Sequence, residues 1–356
     1  MGAQMSAVVA ARDHHGGTAM LYGNVELHNV IEFAEGQRLC RIPEALRLKL
    51  NDAAKNSAQS STCMEIRFNA PAASEENPVR ITLRTADAPG EVQVYSGAFL
   101  NSSHRVGPEP TTIEVKPAGR AHLFPAVIER QPQPFDPALY RVVLPTYQKT
   151  YLIEIEGEGM TPPELRQLPT RRHLAHGSSI THGASSARPT GMYAMRAAMH
   201  LEADLINLGF GGGAHFEPEM ADYLAKRDDW DFATIEMGIN MVGWAELDLF
   251  KERVFPFVET VARAHPDKWI FCFDILPFRM DFDASEDKQI GFRQAVRDAV
   301  AAAKDKLGAE RLVHVEAQTL LQNFAGLTGD LTHPSPEGME EIGLNLARVV
   351  RSYMDK

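Results

Sequence analysis

The sequence predicts an α/β protein in two parts: a jelly-roll-like β-sandwich over residues 1–165, then a three-layer sandwich built on a five-stranded parallel sheet over residues 170–356. Three observations predict it. Up to about residue 165, short β-branched or alternating runs are separated by clusters of Pro, Gly, Asn and Ser. From Arg171 onward, strand-like runs alternate with helical ones. Between the two, residues 157–169 (GEGMTPPELRQLP) are rich in Pro and polar side chains and read as a linker. A chain of 356 residues exceeds the usual size of one compact domain, and an apolar fraction of 44% suffices for two cores.

In the first part, strands are expected at residues 64–68, 79–85, 91–95, 112–115, 140–144 and 151–155. Turn chemistry separates them, as in Asp87-Ala88-Pro89-Gly90 and Val106-Gly107-Pro108-Glu109-Pro110. Many short strands so punctuated suggest a sandwich. One amphipathic stretch, residues 43–54, reads as a single short helix.

The second part opens with a strand at 173–176, a helix at 192–202, a strand at 204–208 and a helix at 218–226. A strand at 232–237, a helix at 245–264 with a kink expected at Pro256, and a strand at 269–275 follow. A helix at 287–306, a strand at 312–316 and a closing helix at 336–353 complete the pattern. Such alternation is the signature of a parallel sheet covered on both faces. Leu249, Phe250, Val254 and Phe257 recur at helical spacing and belong to the core.

Composition narrows the partners. A net charge of −11 with no basic run disfavours nucleic acid. No apolar run approaches the roughly 20 residues of a membrane span. Residues 1–17 lack the basic and apolar regions of a signal peptide, so a cytoplasmic protein is expected. Cys40, Cys63 and Cys272 have neither metal-ligand spacing nor an even count, which argues for buried thiols and for no disulfide framework. His173 and His176 lie three apart on an expected strand and so face opposite ways, which disfavours a metal site. No cofactor is expected, and oligomeric state is left open.

In open α/β sheets the reactive groups gather at the carboxyl ends of strands. Ser179 falls there, in His176-Gly177-Ser178-Ser179-Ile180-Thr181-His182-Gly183, where the glycines permit a tight turn. A serine hydroxyl needs a base, and the base an orienting acceptor. Asp330-x-x-His333 supplies both. A tetrahedral intermediate also needs donors for its oxyanion. The second strand runs into Asn207-Leu208-Gly209-Phe210-Gly211-Gly212-Gly213 and the third into Gly238-Ile239-Asn240, offering backbone amides and a carboxamide. A dinucleotide loop is disfavoured, because Ala214 stands where its last glycine would be required. His182 and His215, just past two of these segments, are candidate pocket residues, as are Arg188, Trp244, Phe278 and Arg279 on loops after strands.

In order and spacing, the segments Gly177–Thr181, Asn207-x-Gly209-x-Gly211-Gly212, Gly238-Ile239-Asn240 and Asp330-x-x-His333 resemble the four blocks of the SGNH or GDSL hydrolase superfamily, over about residues 171–356. The resemblance implies an SGNH, flavodoxin-like fold with Ser179 as nucleophile, His333 as general base and Asp330 as its partner. It also implies an oxyanion hole made by the amides of Ser179 and Gly212 and the side chain of Asn240. Two positions depart from the family pattern: Ser178 replaces the Asp that usually precedes the nucleophile, and Met241 replaces the Asp that often follows the asparagine. The paired serines leave open which one attacks, and alignment with the family favours Ser179. The two-part layout resembles a bacterial subgroup in which a β-sandwich precedes the hydrolase, including an acyltransferase of tetracycline-type antibiotic biosynthesis.

The leading expectation is a serine esterase acting on a small-molecule ester, with a short acyl group on a sugar-like or natural-product alcohol. An acyltransferase using the same acyl-enzyme is the first alternative. A non-catalytic carbohydrate-binding protein ranks lower, since all four segments keep the groups that would react.

Overall fold

Residues 79–85 alternate apolar and polar, and in the computed structural model Val79–Thr85 is a strand that buries Val79, Ile81 and Leu83 and exposes Arg80. The structure describes residues 8–12 and 18–355. They fall into two compact units: Met1–Pro43 with Gln59–Thr170, and Glu44–Ala58 with Arg171–Lys356.

The first unit holds two antiparallel sheets. The seven-stranded one runs, in spatial order, Val8–Arg12, Thr18–Tyr22, Val25–His28, Glu65–Phe68, Tyr140–Val143, Gly90–Ser96 and Phe99–Val106. The five-stranded one runs Thr111–Val115, Val79–Thr85, Thr150–Glu156, Arg38–Cys40 and Glu32–Ala34. Ile66, Phe68, Val92, Val94 and Val142 of one sheet and Ile81, Leu83, Ile113 and Leu152 of the other share one core. On the opposite side of strand Glu65–Phe68, Glu65 is buried between Arg67 and Arg141. Burial raises its pKa, but the two guanidiniums outweigh this and hold the carboxyl well below its ordinary value.

All six expected strands are present, and the strands at 8–12, 18–22, 25–28, 32–34, 38–40 and 99–106 are additional. Phe99–Val106 (FLNSSHRV) is a largely exposed edge strand, so it carries almost no apolar alternation to read. The expected linker is bound to this unit. Asn69 pairs with Thr161 through two backbone hydrogen bonds, and its side chain exchanges bonds with that of Gln167.

The expected helix at 43–54 is two pieces, Glu44–Arg47 and Asp52–Ser57. The side-chain oxygen of Asn51 accepts from the amide of Ala54 and starts the second piece afresh. The sequence reading runs the first domain continuously to residue 165. The structure instead assigns Glu44–Ala58 to the second unit.

The second unit is the expected five-stranded parallel sheet. Its spatial order is Ala203–Gly209, Arg171–Gly177, Phe232–Glu236, Trp269–Phe273, Leu312–Val315. Helices Tyr193–His200, Pro218–Lys226, Leu247–Ala264, Lys288–Leu307 and Pro336–Met354 connect or close it, with Pro256 inside the third. The strand Arg171–Gly177, second in the sheet order, has sheet neighbours on both sides and is buried except at its first residue. No helix among the described residues is long and apolar enough to cross a membrane.

His173 lies in that strand, fully buried, with Nε2 2.7 Å from Thr234 Oγ1 and its ring stacked on Phe232. Burial pushes its pKa down from 6.5 to about 3. The unfolded chain therefore binds a proton that the folded one refuses. This contribution to stability is complete above pH 6.5 and is lost as the pH falls towards 3, at up to about 1.4 kcal/mol per pH unit. Urea midpoints measured between pH 7 and pH 4 should fall less steeply for His173→Gln than for the wild type; equal slopes would contradict the assignment.

Candidate active site

Strand Arg171–Gly177 gives way to Ser178, which caps a four-residue helix, Ser179–His182, by accepting from the Ile180 amide at 3.1 Å. Gly183 stops that helix with φ +103°, a conformation disfavoured for side chains with a Cβ. The two serines then face different surroundings. Ser178 is buried and its hydroxyl donates to Glu236 at 2.6 Å. Ser179 is half-buried and its Oγ lies 2.9 Å from His333 Nε2.

His333 comes from the loop before the closing helix. Asp330 organises that loop: Oδ1 accepts from the Thr328 hydroxyl and from the amides of Thr332 and His333, at 2.8 to 2.9 Å. Oδ2 lies 2.6 Å from His333 Nδ1. Burial raises the Asp330 pKa, but the hydrogen bonds from His333, Thr332 and Thr328 prevail and hold the carboxyl far below its ordinary value. An ionised acceptor requires the proton on Nδ1, which leaves Nε2 to accept from Ser179.

The second strand delivers the glycine loop. Asn207 Oδ1 accepts from the Gly209 amide at 2.8 Å, while its Nδ2 donates to the Thr181 carbonyl at 2.7 Å. A Cβ on Gly209 would lie 2.4 Å from the His182 nitrogen, so only glycine lets this strand end meet the serine helix. The Gly211 amide donates to His182 Nδ1 at 3.1 Å. Gly212 follows, exposed and with φ +72°. The third strand leads to Asn240 on helix Ile239–Val242, whose Oδ1 accepts from the Ala214 amide at 3.1 Å. The carboxamide orientation follows, with Nδ2 as its remaining donor end.

Glu236, at the end of the third strand, is the residue that sequence reasoning missed. It is buried and accepts from the amide and hydroxyl of Ser178 and from the amide and hydroxyl of Thr181. It supplies from a neighbouring strand a carboxylate beneath the serine turn, where the Asp that usually precedes the nucleophile is replaced by Ser178. The available signal was an acid closing the apolar run Phe232-Ala233-Thr234-Ile235-Glu236. Burial pushes its pKa up, only partly offset by the four donors.

The other candidates divide. His182 is fully buried and braces the glycine loop by accepting from the Gly211 amide. His215 is half-buried, its ring 5.1 Å from that of Trp244, whose indole N–H donates to the Asn240 carbonyl. Trp244 remains 55% exposed. Phe278 is buried, Arg279 pairs with Glu286, and Arg188 is exposed. Cys40, Cys63 and Cys272 are buried free thiols. His173 and His176 bond separately, to Thr234 and to the Leu208 carbonyl. Among the described residues no three His, Cys, Asp or Glu side chains form a metal-holding group.

A family model described as "GDSL-like Lipase/Acylhydrolase family" matches residues 170–351. A search of curated proteins found no match. Among solved structures, a salicylyl-acyltransferase from a tetracycline biosynthetic pathway, SsfX3, superposes with a TM-score of 0.74 at 15% identity, covering 99% of each chain. A putative GDSL-like lipase from Bacteroides ovatus gives 0.70 at 18% identity, covering 92% of this chain and 94% of that one. A family two carbohydrate esterase from Cellvibrio japonicus gives 0.62 at 14%, covering 98% of each. At such identities the likeness establishes the fold.

Proposed function

The chain belongs to the GDSL-like lipase/acylhydrolase family of ester-acting enzymes, and from that premise we propose that it transfers an acyl group from an ester to an alcohol acceptor through an acyl-enzyme on Ser179. The observation that carries the acyl-enzyme, common to transfer and hydrolysis, is the continuous relay Ser179 Oγ, His333 Nε2, His333 Nδ1, Asp330. As Ser179 Oγ attacks the acyl carbonyl carbon, its proton passes to Nε2. The carbonyl oxygen takes the negative charge, to be met by the amides of Ser179 and Gly212 and by Asn240 Nδ2. Collapse breaks the ester bond, and the departing alkoxide takes the proton from Nε2, leaving the acyl group on Ser179. The acceptor hydroxyl then repeats the sequence, giving its proton to Nε2 as it attacks. Ser179 recovers that proton as it leaves.

Transfer is preferred to hydrolysis, which the sequence alone ranks first, because the salicylyl-acyltransferase superposes with the higher TM-score, 0.74 against 0.62 for the carbohydrate esterase, both over nearly the whole chain. Hydrolysis is the second reading, supported by the resemblance to carbohydrate esterases, and differs only in the nucleophile that resolves the acyl-enzyme.

Trp244 bears on the acceptor. Its indole N–H is satisfied by the Asn240 carbonyl, which leaves the ring exposed beside a proposed oxyanion donor. With a p-nitrophenyl ester as donor, benzyl alcohol or a methyl glycoside should divert acyl groups from water to a new ester. Trp244→Ala should raise the KM for these ring-bearing acceptors roughly three- to tenfold while leaving that for ethanol unchanged. Nitrophenol release with no transfer product at any acceptor concentration would favour hydrolysis.

A further inference from the structure

We propose that Asn51, which lies in the N-terminal half of the sequence, is a positioning residue for the oxyanion hole and acts through Asn240. The proposal rests on the reading of Asn240 as an oxyanion donor. Its basis is the segment Glu44–Ala58, which belongs to the same unit as the parallel sheet.

Every polar atom of the Asn51 side chain is used at the junction of helix Asp52–Ser57 and the glycine loop. Oδ1 accepts from the Ala54 amide at 3.0 Å and caps the helix. Nδ2 donates to the Gly213 carbonyl at 2.9 Å and to Glu217 Oε1 at 2.6 Å. The Asn51 backbone amide donates to the same Glu217 oxygen at 3.1 Å. The loop lies directly on the helix. A Cβ at Gly213 would be 2.5 Å from the Ala54 nitrogen and 2.8 Å from its Cβ, so glycine is required by the contact.

The consequence lies in one peptide plane. The carbonyl of Gly213 and the amide of Ala214 belong to a single planar group, so turning one turns the other. Asn51 Nδ2 holds its oxygen end, and Asn240 Oδ1 takes its N–H end at 3.1 Å. Asn51 therefore sets the plane that orients the Asn240 carboxamide. The preceding residue, Gly212, is the other proposed loop donor, and a Cβ built on it would lie 3.5 Å from that of Ala53 on helix Asp52–Ser57.

The test uses the full chain, with kcat expressed per active site titrated by a fluorophosphonate. Asn51→Ser keeps a helix-capping oxygen but is too short to reach the Gly213 carbonyl. We expect kcat per titrated site to fall about tenfold with KM within twofold, and the thermal midpoint to drop by roughly a few degrees as the two Nδ2 hydrogen bonds are lost. Asn240→Ala should fall about 100- to 1000-fold. The Asn51→Ser/Asn240→Ala double variant should fall no further than Asn240→Ala alone, since the first residue acts through the second. A purely structural role would lower the titratable fraction and leave kcat per site unchanged, and that outcome overturns the proposal, as does additive loss in the double variant. Gly213→Ala, which forces the loop off the helix, provides a second variant with the same expected kcat loss. If Asn240→Ala itself keeps full kcat while Ser179 is labelled, the oxyanion reading fails and this proposal falls with it.

Discussion

Replacing Ser179 with alanine is expected to lower kcat/KM for a p-nitrophenyl ester by about six orders of magnitude while leaving the thermal midpoint nearly unchanged. The two halves of that expectation have separate causes. The hydroxyl is half-buried and lies 2.9 Å from His333 Nε2, so removing it cuts the relay at its first atom. The helix that carries it is capped from outside, by Ser178 and Gly183, and keeps those bonds. Ser178→Ala is the informative contrast. It removes a helix cap, at about 1 kcal/mol, and takes one donor from Glu236, yet leaves the relay whole. A fluorophosphonate adduct should therefore map to residue 179 in the Ser178→Ala protein and be absent from Ser179→Ala. Turnover by Ser179→Ala at wild-type rates would remove the basis of the proposed function.

Substituting Glu236 with alanine is expected to destabilise the fold by about 4 kcal/mol and to abolish activity with it, although this side chain is assigned no proton transfer. The amides and hydroxyls of Ser178 and Thr181 would lose their common buried acceptor, and each unsatisfied donor costs about 1–3 kcal/mol. The Thr181 hydroxyl also contacts the Tyr193 hydroxyl at 2.7 Å, so the loss would spread to the next helix. Glu236→Gln should be milder, because an amide oxygen can replace one carboxylate oxygen. It also has a pH signature. Burial raises the Glu236 pKa, so the folded protein holds its proton more tightly than the unfolded chain. Wild-type stability contributed by this group is complete below the ordinary carboxyl value of 4.5 and declines as the pH rises through the elevated folded value. The stability difference between wild type and Glu236→Gln, followed by denaturant titration, should therefore favour the wild type more at pH 4 than at pH 7. A difference that moves the other way would mean that the carboxylate is stabilised by its donors more than burial opposes it.

Much of the second unit was legible because its signals are local. Helix boundaries such as Pro218–Lys226 coincide with the expected ones, and the strands fall within two residues of theirs. The Asp-x-x-His pair is also a local device: the Asp330 carboxylate bonds amides two and three residues on, so their spacing carries the geometry. The first unit was less legible at its edges. Exposed strands such as Phe99–Val106 have no buried face to impose a pattern, and the segment taken for a linker is fastened by Asn69, almost a hundred residues away in sequence.

By itself, the sequence determined the order of strands and helices in the second unit, the parallel character of its sheet and the chemical types at the strand ends. These follow from periodicity and from short-range hydrogen bonding, which act between neighbours along the chain. Only the tertiary structure decided which of two adjacent serines meets His333, that Glu236 supplies the buried acceptor under Ser178, and that Asn51 braces a loop 162 residues away. Each of those depends on a hydrogen bond between atoms brought within 3 Å by sheet order and packing, and no spacing along the chain encodes that approach.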